Sequence, residues 1–253
     1  MIDKETFMKT FFDIPYLNNA SDMQLLDIYL PDGDNFDTII WFHGGGIEAG
    51  SRKDDAFARS VTQKGYAFVS AEYRLYPDAR FPEFIQDAAA AVAWTIGNIA
   101  NYGGSGKVYV SGESAGAYLT MMLCMDQHYL SDVGISQEQI SGYISDSAQQ
   151  FNHYNVLREL GIDSRLERMD AHAPIFFIHQ DLKIQPLLLL YYENDIKCRP
   201  EETRLMYASL QKVMPDAIVH ISELPGSHCC KGKNENGEYH FLTRMFTFIE
   251  SLQ

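Results

Sequence analysis

The chain has 253 residues, 46% of them apolar and 13% aromatic, enough to bury a sizeable core in one domain of α/β type without requiring two. Its 34 acidic against 20 basic residues give a formal charge of −14. Such a surface repels phosphate backbones and anionic membranes, and no Lys/Arg-rich run reverses this locally, which excludes nucleic acid as a partner.

Taken in chain order, residues 1–20 carry Asp3, Glu5 and Asp13 among their apolar side chains, so they form no signal-peptide core. Nowhere does an apolar run approach the roughly 20 residues of a membrane span, and a cytoplasmic location without membrane contact is expected. Residues 25–30, closed by Pro31-Asp32-Gly33, alternate in polarity and predict an antiparallel strand at the sheet edge. The runs 38–42, 67–71, 107–111, 187–191 and 217–221 predict further strands, and 142–145 one more. Three of these are nearly continuously apolar, as suits strands covered on both faces. Helices are expected near 54–64, 82–101, 115–127 and 201–213, and again from His240. In the second, Pro82 fits the first turn, then Phe84, Ala88, Val92, Ile96 and Ile99 recur at helical spacing until Gly103-Gly104 ends it. Strand and helix alternating in this way predict an α/β fold: a mostly parallel central sheet with helices on both faces.

Gly112-Glu113-Ser114-Ala115-Gly116 is a G-x-S-x-G element between the 107–111 strand and a helical pattern. A serine on such a strained strand-to-helix turn is lifted above the sheet as a nucleophile, with helix N-terminal amides aimed at developing negative charge. The pentapeptide alone also suits an ordinary Gly/Ser turn. Upstream, His43-Gly44-Gly45-Gly46 follows the 38–42 strand, and a glycine run there lets the backbone approach an acyl carbonyl and turn its N–H groups to the oxygen. Two such motifs in this order argue against coincidence.

On Trp41 to Ser51 (WFHGGGIEAGS), Glu72-Tyr73-Arg74-Leu75-Tyr76-Pro77, Phe81-Pro82 and Gly112 to Gly116, the chain resembles the α/β-hydrolase superfamily in its hormone-sensitive-lipase-like esterase branch. It is most similar there to the small BD-FAE-type esterases and deacetylases. The resemblance covers nearly the whole chain, is strongest over 38–123, and implies one α/β-hydrolase domain over 1–253 with a minimal cap, a short insertion at about 149–172.

That family orders its triad Ser, acid, His, so both partners of Ser114 lie C-terminal to it. His228 follows the 217–221 strand and precedes the last helix, whereas His128, His153, His172 and His220 are less well placed and His240 is the runner-up. For the acid, Asp195 matches the family aspartate after the 187–191 strand. Tyr191-Tyr192 replaces the usual His-Gly, leaving Glu193, and more weakly Asp146, as alternatives. The oxyanion donors are sought among the backbone amides of Ala115, Gly44, Gly45 and Gly46, with the resemblance favouring Gly45 and Gly46.

These residues predict a serine carboxylesterase acting on a small-molecule ester of a short-chain acyl group such as acetyl, carried for instance on a carbohydrate, with no cofactor and no metal. Arylformamidase or peptidase-like chemistry uses the same triad, and a silent binding module uses the same fold but usually lacks a triad member. A homodimer is a candidate assembly. Four cysteines, Cys124, Cys198, Cys229 and Cys230, are too few and uneven for a disulfide framework. Adjacent Cys229 and Cys230 do not match the usual C-x₂₋₄-C spacing of zinc ligands, so they are expected as packing residues behind the histidine loop.

Overall fold

The computed structural model describes residues 8–253, so Asp3 and Glu5 lie outside the described residues. The strands are β1 (Lys9–Pro15), β2 (Leu25–Leu30), β3 (Phe36–Phe42), β4 (Ala67–Ala71), β5 (Gly104–Glu113), β6 (Gly142–Asp146), β7 (Leu187–Asn194) and β8 (Val219–Ser227). The helices are α1 (Asp55–Thr62), α2 (Glu83–Asn98), α3 (Ala115–Met125), α4 (His128–Asp132), α5 (Tyr154–Glu159), α6 (Arg199–Val213) and α7 (His240–Glu250). The sheet order is β1-β2-β4-β3-β5-β6-β7-β8, with β2 antiparallel to β1 and β4 and every pair from β4 to β8 parallel.

The central strands are buried on both faces: the first six residues of the apolar β7 are buried, and so is every residue of β4 and β6, including Ser70, Ser145 and Asp146. Phe57 and Val61 of α1 and Phe241, Met245 and Ile249 of α7 cover one face. Phe84, Ala88 and Val92 of α2, the whole of α3, and Met206 and Leu210 of α6 cover the other. Each fully buried Leu, Ile or Phe contributes roughly 1.5–3 kcal/mol relative to exposure. Local signals set the helix ends: the Asp54 carboxylate accepts from Phe57 N at 3.1 Å to cap α1, and Gly103 at φ 102° ends the turn after α2.

Three expectations are corrected. Residues 25–30 are not an edge strand, because β1 lies outside β2; its period is broken between Phe11 and Ile14, where Asp13 at φ 57° donates its N–H to Asp27 Oδ1 at 2.8 Å. Pro82 stands at the N-cap of α2, not inside its first turn. The last strand runs from Val219 to Ser227 rather than over 217–221; one of its flanks is free, so Ser222, Glu223 and Ser227 pair with β7 beside the buried Leu224 without disturbing the core.

The chain turns one way from β3 to β4 and the other way from β3's neighbour β5 to β6, so a crevice opens where the C-terminal ends of β3 and β5 lie side by side, Phe42 against Gly112. The residues that follow β3, β5, β6, β7 and β8 gather at this end of the sheet.

Candidate active site

Ser114 follows β5 directly, at φ 52° and ψ −112°, a conformation side chains rarely adopt. Two features hold it there: its N–H donates to Asp146 O at 2.8 Å, and α3, buried on all sides, starts at the next residue. The turn packs so closely on β3 that a Cβ at Gly116 would lie 2.0 Å from Phe42 O.

The Ser114 hydroxyl lies 2.8 Å from His228 Nε2, and His228 Nδ1 lies 2.5 Å from Asp195 Oδ1. His228 follows β8 and Asp195 follows β7, so strand register brings together residues 114 and 33 positions apart. The Asp195 side chain is wholly buried. Burial alone raises its carboxyl, but donors reverse this: His228, Ser147 Oγ at 2.5 Å and Ile196 N at 2.8 Å hold it below the ordinary carboxylate value. Among the described residues, the side chains of Glu193, Asp146 and His240 make no hydrogen bond to the Ser114 hydroxyl, to His228 or to Asp195. Glu193 is exposed, and Asp146 is buried, accepting from the Tyr192 hydroxyl at 3.3 Å. Burial, then the nearby Glu113 charge, push the Asp146 carboxyl well above its ordinary value.

The glycine run after β3 lies against Ser114: a Cβ at Gly44 would stand 3.3 Å from Ser114 Cβ. Gly46, at φ 68°, passes so close under Tyr154 that a Cβ there would be 1.7 Å from the phenol oxygen. The amides of Gly45, Gly46 and Ala115 donate to no other group among the described residues, which leaves them free for an incoming oxygen.

Beneath this loop is a buried charge network. His43 Nε2 meets Glu72 Oε1 at 2.8 Å, Arg52 Nη1 donates to Glu72 Oε2 at 3.1 Å, Arg52 Nε pairs with Asp27 at 3.0 Å, and Arg52 Nη2 reaches Asp13. His43 stacks on Tyr73 at 4.5 Å, and the Tyr73 hydroxyl donates to His43 O at 2.8 Å. From above, residues 149–172 press on the same loop through α5: Asn155 Nδ2 donates to Gly46 O, and Arg158 pairs with Glu48 at 2.8 Å.

Glu113, Asp146 and Cys229 are the one group among the described residues whose potential metal-ligating atoms lie within 4.8 Å of one another. Lys231 already neutralises Glu113 at 2.8 Å, its ammonium 4.3 Å above the Phe57 ring. Cys229 Sγ is 3.6 Å from His228 Nε2, the nitrogen that faces Ser114, so it lies beside that nitrogen and not behind the histidine loop as expected; burial pushes its thiol well above the ordinary value. Cys198 is exposed at the start of α6, and Cys230 packs against the α1/α7 core.

The family model BD-FAE matches residues 26–163, more than half of the chain. The chain belongs to the BD-FAE family. It is similar to esterase LipQ of Mycobacterium tuberculosis, 25% identical over 240 residues, covering 85% of this chain and 56% of that protein. The chain spans about half the length, or less, of the curated relatives it matches. Among solved structures, esterase B of Lactobacillus rhamnosis superposes with a TM-score of 0.80 at 20% identity over 97% of this chain and 87% of that one. A truncated carbohydrate esterase from gut microbiota does so with 0.75 at 18% identity over 98% of both. These likenesses carry the α/β-hydrolase fold.

Sequence reasoning passed over several residues of this BD-FAE site. Glu72 stood in the quoted Glu72-to-Pro77 segment with no role attached. Arg52, Asn155 and Ser147 lie where nothing in local spacing marks them, because each acts on a partner 20 to 109 positions away.

Proposed function

We propose that the protein is a serine carboxylesterase hydrolysing short-chain acyl esters, acetyl esters first, of neutral substrates such as acetylated carbohydrates. The observation that carries this reading is the unbroken path from Ser114 Oγ to His228 Nε2, 2.8 Å, and from His228 Nδ1 to the buried Asp195, 2.5 Å. Ser114 Oγ attacks the acyl carbon while His228 Nε2 takes its proton. The tetrahedral intermediate then expels the alcohol, which takes that proton back from Nε2, leaving acyl-Ser114. A water, deprotonated by Nε2, attacks the acyl-enzyme, and the carboxylic acid departs as Ser114 regains its proton. Asp195 holds the tautomer with Nε2 free and stabilises the imidazolium. The amides of Gly45, Gly46 and Ala115 receive the oxyanion, each donor worth about 2.7–4 kcal/mol of transition-state stabilisation.

Two further observations favour the substrate class. Residues 149–172 press on the oxyanion loop through Asn155 and Arg158 instead of standing off as a tall lid, which suits a short acyl group. The −14 charge disfavours anionic esters, and the fold is shared with a protein titled a carbohydrate esterase. The test compares kcat/KM for p-nitrophenyl acetate and decanoate in wild type and Ser114→Ala. Acetate should be preferred, and Ser114→Ala should lower kcat by about 10⁴-fold or more. A preference for decanoate overturns the short-acyl reading, and an active Ser114→Ala overturns the mechanism.

A further inference from the structure

Ser147, the residue after β6, is held in place at both ends of its peptide unit. Its N–H donates to Leu190 O at 2.9 Å, and its carbonyl accepts from Nη1 of the buried Arg199 at 2.7 Å. Between these anchors its backbone sits at φ 61°, in the left-handed region that a residue with a side chain enters only where its surroundings require it. The side chain is fully buried. Its hydroxyl donates to Asp195 Oδ2 at 2.5 Å, and the same oxygen lies 3.0 Å from His228 Nδ1.

We infer that Ser147 is a positioning residue for the acid–base pair, a hydroxyl that locks the Asp195 carboxylate and the His228 ring into one plane. This rests on the proposed serine-esterase reading. The Asp195 carboxylate can pivot about its Cβ–Cγ bond unless both oxygens are held. Oδ1 is held by His228 and by Ile196 N at 2.8 Å, whereas among the described residues Oδ2 has only the Tyr192 amide at 3.1 Å besides Ser147. Ser147 therefore supplies the shorter of the two anchors on Oδ2. Because its hydrogen points to Asp195, its oxygen lone pair faces the Nδ1 proton, which then has an acceptor on each side. That keeps the proton on Nδ1 and leaves Nε2 as the base toward Ser114. The left-handed backbone is what carries the hydroxyl from the strand end to this point.

The variants Ser147→Ala and Ser147→Gly separate the hydroxyl from the backbone, since both remove the oxygen and only glycine relieves the φ 61° conformation. With p-nitrophenyl acetate, kcat should fall by about 10- to 100-fold in both, the effect of one hydrogen bond to a charged group, with KM unchanged. The low-field proton resonance of His228 Nδ1–H should move in both variants, while thermal melting shows Ser147→Gly as stable as wild type or more so. Wild-type kcat and an unmoved resonance in Ser147→Gly would overturn the inference and leave Ser147 a backbone element. If Ser147→Ala does not fold, Ser147→Gly alone decides. Ser114→Ala in the same series tests the underlying reading separately: an active Ser114→Ala counts against the esterase mechanism, whereas active Ser147 variants beside an inactive Ser114→Ala count against Ser147 alone.

Discussion

Two segments around the site are each held down by one buried glutamate, and the two glutamates are in opposite electrostatic states. Under the glycine loop after β3, burial alone would raise the Glu72 carboxyl, but hydrogen bonds from His43 and the amide of Arg52, with the Arg52 charge, hold it below its ordinary value. Under the segment after β6, Glu202 accepts the amides of Gln150 at 2.7 Å and Phe151 at 3.1 Å. There burial outweighs the nearby Arg199, and the carboxyl is pushed up to about 7. Glu72 is thus a closed ion network that does not respond near neutrality, whereas Glu202 titrates within the working range. The difference lies in the donors: Glu72 is met by a guanidinium and an imidazole in direct contact, Glu202 by neutral amides.

Cutting each glutamate tests this contrast. Glu72→Gln leaves the buried Arg52 without one of its carboxylates and should cost about 3–5 kcal/mol in urea unfolding. Because the Glu72 carboxyl lies below its ordinary 4.5, its contribution is complete above that pH and lost only on acidification, so the deficit should be the same at pH 6 and pH 8. A deficit that shrinks between those values would contradict the closed network. The Glu202 effect is smaller and of opposite sign. A carboxyl raised from 4.5 to about 7 stabilises the fold while protonated, below about 4.5, and that contribution is lost as pH rises through 7. Relative to Glu202→Gln, the wild type should lose up to about 3 kcal/mol between pH 4.5 and pH 8. Parallel stability curves for the two proteins would remove Glu202 as the titrating group.

The same contrast explains what was legible in the sequence. The turn at Ser114 and the glycine loop after β3 are backbone devices, and backbone devices need glycines at fixed local spacings, so Gly112 to Gly116 and His43 to Gly46 could be read directly. The core strands were legible because burial on both faces leaves nearly unbroken apolar runs, as at 187–191. The broken period of β1 concealed that strand, and the mixed Ser222-to-Ser227 stretch concealed the far end of β8, since an outer strand tolerates polar residues on its free flank. His228 was found through its place after the last strand, and Asp195 through the family resemblance. Their supports were not: Ser147, Glu72 and Glu202 act through side chains on partners far along the chain, and no local pattern encodes that.

The central claim is that Ser114 is the nucleophile activated by His228, and a fluorophosphonate probe with intact-mass and peptide mapping tests it most directly. The geometry predicts one adduct per chain, on Ser114 in the wild type and absent from Ser114→Ala. Labelling of Ser114→Ala to the same extent, or a wild type left unlabelled at Ser114, would contradict it.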